Sequence, residues 1–205
     1  MTREDVLQDL AYARSVAEEG RNAPLVGGSY MAMFGVLLTI AYSAQWAVAS
    51  GAIAAGPQAI GVIWAGFGAL AWGGSTLLSR RVRKLPGGSA IPNRVDRAVW
   101  HATAISILVV VAGTVLRGIF NAGFGLTDAI MASGFGLYGA ALFASATVGG
   151  HTWLRTFALL AWLASGLMWF FMGAVWLYLL AAGASVVVLL APGVIMMRRE
   201  PATVV

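Results

Sequence analysis

The sequence predicts an all-α polytopic membrane protein, a bundle of six membrane-spanning helices behind a short amphipathic helix. Three observations predict it. Between Arg21 and Arg80 there are 58 residues without a single charge. The stretch 79–97 then carries six of the thirteen basic residues, with Asp96 as its only acid. Finally, 152–197 is a run of 46 residues whose only charge is Arg155. One span needs about 20 apolar residues, so the first and last runs hold two spans each.

Composition agrees with this class. The chain is 60% hydrophobic and 10% charged, whereas soluble domains carry about 25% charged residues. Its net charge of +5 does not point to nucleic acid, because the basic residues sit at the ends of apolar spans, where retention of positive loops in the cytoplasm accounts for them. The absence of cysteine excludes disulfides, thiolate metal sites and thiol nucleophiles.

The N-terminal segment, 1–24, reads as a cytoplasmic or interfacial helix and hinge. Thr2 and Asp5 approximate a capping box, and Val6, Leu7, Leu10, Ala11, Ala13 and Ala17 recur at helical spacing before Gly20 and Pro24. Glu4, Asp5, Asp9 and Glu19 share one side of that helix, which suits a partner protein or a membrane surface. Five acids and no continuous apolar core in this segment argue against a cleavable signal peptide.

The spans are expected at about 26–50, 58–78, 98–120, 126–148, 152–171 and 175–197, which makes three helical hairpins. A bend is needed near 171–174. Pro192 should distort the last span, and Arg198 and Arg199 stop it and open a short tail, 198–205. Placing the basic loop 79–97 in the cytoplasm puts both termini there too. Twelve basic residues then lie inside and only Arg117 outside, the bias expected of a multi-pass protein of the cell (inner or plasma) membrane. Trp46 and Trp176 fall near the outer interface, and Trp100 and Trp153 near the inner one.

Close helix contacts in lipid depend on small residues. Gly61, Ala65, Ala69 and Gly73 form such a ridge on the second span, and Ala132, Gly136, Ala140 and Ala144 form another on the fourth. A third runs through Gly35, Thr39, Ser43 and Ala47 of the first. The tetrapeptides 65–68 and 133–136, Ala-Gly-Phe-Gly and Ser-Gly-Phe-Gly, lie 68 residues apart in spans of the same direction, the trace expected of a parallel hairpin repeat.

Chemistry is sparse. Arg117 and Asp128 flank one short outer loop, and a structural ion pair between them is the economical reading. No carboxylate falls at mid-membrane, which weighs against a proton- or sodium-coupled carrier. His101 and His151 sit beside Trp100 and Trp153 at the inner interface. They are candidates for a shared haem or metal ligand site, with headgroup anchoring as the plainer reading. No catalytic motif accompanies them, no resident cofactor is expected, and Gln45 is accounted for by an interhelical hydrogen bond. Arg80, Arg81, Arg83, Lys84, Arg94 and Arg97 are the expected contacts to a partner or to lipid headgroups.

Three functional readings follow. The favoured one is a non-catalytic accessory, scaffold or sensor subunit that meets another protein, or a second copy of itself, through its cytoplasmic face. The alternative is a small transporter or channel for a neutral or amphipathic solute. A haem protein or intramembrane enzyme using His101 and His151 comes third.

Overall fold

In the computed structural model every regular element is helical among the described residues, 7–8, 24–82, 85, 87–120 and 126–199. Most of the expected N-terminal helix, together with Arg83, Lys84 and the tail beyond Arg199, lies outside them. The helices are α1 (Gly28–Ala49), α2 (Gln58–Val82), α3 (Ile91–Phe120), α4 (Asp128–Val148), α5 (Leu154–Phe170) and α6 (Leu177–Arg199). The fold is a helical membrane bundle. Five of the six helices are long and apolar enough to cross a membrane, and α5, at 17 residues, is the short one.

The basic loop is more ordered than a loop between spans at 78 and 98 requires. α2 continues to Val82 and α3 begins at Ile91. A helix need not be apolar where it leaves the bilayer. At 30 residues, α3 is about 45 Å long, more than the roughly 30 Å of hydrocarbon, so its charged first turns project beyond it. Pro92 is compatible with that start, because the first turn has no use for its missing N–H.

α6 is interrupted as Pro192 demands. A π-helical turn, Val186–Leu190, joins its two α-helical parts. The proline lacks an N–H and crowds the carbonyl of Val188, and a wider turn relieves both.

The helices fall into two groups. α1 packs on α2 and along all of α6, while α4 packs on α3 and α5; the main helix contact between the groups is α5 against α6. Phe135, Leu142, Leu154, Met168, Leu177, Val188 and Leu189 fill the interior and are fully buried. α2 and α3 lie outermost. α2 buries only Ala71 and Val82, and α3 beyond its first turns buries only Thr103 and Gly118. Their free surfaces carry Val62, Leu70, Trp72, Ile105, Leu108 and Leu116, an apolar face that suits lipid.

The small-residue ridges are used unequally. On α1, a Cβ at Gly35 would stand 2.5 Å from the backbone nitrogen of Leu190, and one on Gly193 would stand 2.5 Å from that of Ala32. α1 and α6 therefore touch backbone to backbone. Thr39 adds a hydrogen bond from Oγ1 to the Ala182 carbonyl (3.3 Å). On α4, Ala132 is fully buried and a Cβ on Gly136 would meet Ser165 Oγ at 3.2 Å. Ala140 is exposed and Ala144 half-buried, so the expected ridge holds for its first half only. Gly139 takes over, pressed against the Trp162 ring.

The α2 ridge needs correction. Gly61, Ala65 and Ala69 are exposed, Gly73 is half-buried, and nothing stands within 4 Å of a Cβ on Gly61 or Gly73. It packs against no other helix among the described residues. α2 meets α1 instead through aromatic rings: Trp64 stands edge-on to Tyr42 at 5.2 Å, and Phe67 lies 6.4 Å from Phe34. The rings and Gly74, packed on Met33, take the side of α2 that meets α1, and Gly61, Ala65 and Ala69 lie on the other side. The repeat tetrapeptides consequently differ in surroundings, for Gly134 and Phe135 are buried whereas Ala65, Gly66 and Gly68 are exposed.

Candidate functional site

Only two acids occur between residues 24 and 199, Asp96 and Asp128. Both are buried, at 5% and 9% exposure. Burying a carboxylate costs several kcal/mol unless hydrogen bonds or a counter-charge offset it, so the partners of these two side chains define the polar framework. They lie at opposite ends of the bundle: Asp128 bonds directly across the two helix groups, whereas Asp96 joins α3 to α4 within one group, one turn from Asn93, which makes the link across.

At the far end from the basic loop, Asp128 opens α4, where a negative charge is favoured by the helix dipole. Its Oδ1 accepts from the Tyr178 hydroxyl at 2.7 Å and its Oδ2 from the Gly173 N–H at 3.0 Å. Gly173 has φ +94°, a conformation that side-chain-bearing residues rarely adopt, and the turn so formed aims its N–H at the carboxylate. Gln45 of α1 lies beside the Tyr178 hydroxyl and accepts from Trp64 Nε1 at 2.8 Å. One polar chain thus runs from α2 through α1 and α6 to α4. The interhelical bond expected of Gln45 is present.

The expected Arg117–Asp128 ion pair is absent. Arg117 is exposed on α3, while both carboxylate oxygens of Asp128 are held by neutral donors. An exposed guanidinium keeps its hydration, and nearness in sequence across a short loop does not overcome that.

At the basic end, the first turns of α3 dock on the segment leading into α1. Asn93, 3% exposed, accepts from the Val26 N–H at 2.9 Å and donates Nδ2 to the carbonyls of Pro24 (2.8 Å) and Gly87 (3.0 Å). Asp96 accepts from the Ser145 hydroxyl of α4, which also receives Trp100 Nε1 at 3.2 Å. A Cβ on Gly27 would stand 3.3 Å from Asp96 Oδ2. Arg97 donates to the Gly88 carbonyl at 2.8 Å, which braces the loop from within. Arg80, Arg81 and Arg94 are exposed and free to meet headgroups or a partner.

The two histidines are not brought together. His101 is exposed on α3. His151 lies in the turn between α4 and α5, its ring 6.4 Å from that of Trp153. Burial, and then the charge of Arg199, push its imidazole below the ordinary value. No hydrogen bond or ring contact joins His101 to His151, and no group of three or more His, Cys, Asp or Glu able to hold a metal occurs among the described residues.

Sequence reasoning missed Asn93, Tyr178 and Gly173, and gave Asp96 no role beyond being the one acid of the basic loop. The scarcity of acids was the available signal. In a stretch with two carboxylates, each carboxylate is a strong candidate for a specific buried contact. The chain matches no family model, and neither a curated protein nor a solved structure matches it.

Proposed function

We propose that this is a non-catalytic integral membrane protein that acts as an accessory, scaffold or sensor subunit of a larger assembly in the cell membrane, with both termini in the cytoplasm. The observation that carries this reading is the uncovered side of α2. Of four small residues spaced one turn apart, Gly61, Ala65 and Ala69 are exposed and Gly73 is half-buried, and none of them packs against another described helix. Surfaces of that kind let helix backbones approach closely in lipid, where no hydrophobic drive assists association. The exposed Arg80, Arg81 and Arg94 add a second contact region just outside the bilayer.

Purification from native membranes in mild detergent, with mass spectrometry of the same sample, tests this. A stoichiometric companion protein or a defined oligomer is expected, with Ala69→Trp abolishing it and leaving thermal stability unchanged. A chain that purifies alone and is indifferent to charge reversal at Arg80, Arg81 and Arg94 overturns the reading.

One observation favours passage of a neutral or amphipathic solute as a second reading. The two helix groups are tied by side-chain hydrogen bonds at their two ends, with apolar packing between. Such a seam suits halves that rock. Liposomes that pass no member of a broad panel of neutral solutes would dismiss it.

A further inference from the structure

We propose that Arg199, His151 and Trp153 form a binding site for a phosphate group, supplied at the basic end of the bundle by an anionic phospholipid. Arg199 is the last residue of α6, and it reaches across to the start of α5, where its Cζ lies 5.1 Å from the Trp153 ring centroid. A guanidinium placed over an indole spends its flat face on the ring and keeps its edge N–H groups for an acceptor. Among the described residues those groups have no hydrogen-bond partner.

Two further groups at this place lack an acceptor. Trp153 Nε1 is buried and is the only buried side-chain nitrogen or oxygen without a hydrogen bond among the described residues. His151 flanks the same ring and lies within electrostatic reach of Arg199. Both acids of the membrane domain are engaged elsewhere, Asp96 with Ser145 and Asp128 with Tyr178. One guanidinium charge beside two neutral ring N–H groups, all without an acceptor among the described residues, makes an anion site. The fork of an arginine matches phosphate, and the ends of membrane helices lie at the depth of headgroup phosphates.

The purified full-length protein is examined in phosphatidylcholine nanodiscs, in nanodiscs that also contain phosphatidylglycerol, and in phosphatidylcholine nanodiscs with added inorganic phosphate. Two readouts are used: lipid retained in native mass spectrometry, and the titration midpoint of His151 by nuclear magnetic resonance. An anion beside an imidazole favours its charged form, so phosphatidylglycerol should raise the His151 midpoint and remain bound. Arg199→Gln should abolish both effects, while Arg198→Gln, the same charge change one residue earlier, should leave both intact. A rise with inorganic phosphate alone would identify soluble phosphate as the source and still support the site. An unmoved His151 midpoint, or equal losses in the Arg198 and Arg199 variants, would overturn it.

Discussion

Tyr178 donates its hydroxyl to Asp128 at 2.7 Å, joining the first turn of α6 to the first turn of α4 at the end of the bundle opposite the basic loop. The pair bridges two helices that belong to different packing groups, and Gly173, in the turn before α6, completes the carboxylate's partners. It is a hydrogen-bonded tie rather than an ion pair, and its energetics follow from that.

Replacing Asp128 with Ala strands the Tyr178 hydroxyl and the Gly173 N–H, at a cost of about 1–3 kcal/mol. Tyr178→Phe should cost less, because Asp128 retains Gly173. A double-mutant cycle on the pair, read by unfolding in detergent, should give a coupling of about 1 kcal/mol. Arg117→Gln should change stability by less than about 0.5 kcal/mol. A large effect at Arg117 would restore the ion-pair reading.

Glycine substitutions separate the helix faces that are used from those that are not. Gly35→Ala drives a methyl into the backbone of Leu190, and overpacking of this sort costs about 1–3 kcal/mol. Gly61→Ala meets nothing and removes a helix-interior glycine, so it should be neutral or stabilising by up to about 1 kcal/mol. Thermal unfolding of the two variants in the same detergent decides the matter; equal loss would place the α2 face inside the fold.

Asn93→Ala removes the three hydrogen bonds that hold the start of α3 to Pro24, Val26 and Gly87. The buried Val26 N–H then loses its acceptor, at a cost of about 1–3 kcal/mol. Hydrogen exchange should accelerate at 24–27 and 87–93 and stay unchanged around Asp128. Acceleration at both ends together would show that the two clusters open as one unit.

His151 predicts a weak dependence of stability on pH. Burial and Arg199 lower its folded value below the ordinary 6.5, so the unfolded chain binds the proton more readily than the folded one. The resulting stability is present above 6.5 and is lost as pH falls through the folded value. The effect is small because much of the ring meets solvent. His151→Asn should flatten the slope of unfolding midpoint against pH in this range, and an identical slope in the variant would refute the assignment.

Much of the fold was legible in the chain. Span number, span order and the place of the basic loop follow from where charges are missing, because the bilayer sets a length of about 20 apolar residues and excludes unpaired charge. The expected and observed helices agree within a few residues for α1, α4, α5 and α6. The departure at α3 came from using apolarity to mark a helix that continues into water.

The sequence by itself determined that this is a six-helix membrane bundle with its charge gathered at one end, since hydropathy along a chain is a one-dimensional property that the membrane reads directly. Only the tertiary structure decided which way each helix turns about its axis. α1 and α4 are apolar on all sides, lipid and core are both apolar, and no polar stripe tells one face from the other. The Gly35 ridge therefore faces α6 while the Gly61 ridge faces outward, and Asp128 finds Tyr178, fifty residues on, in place of the nearer Arg117. Those choices rest on how large side chains interlock and on which donors meet a buried carboxylate, and both become fixed only when all six helices are packed.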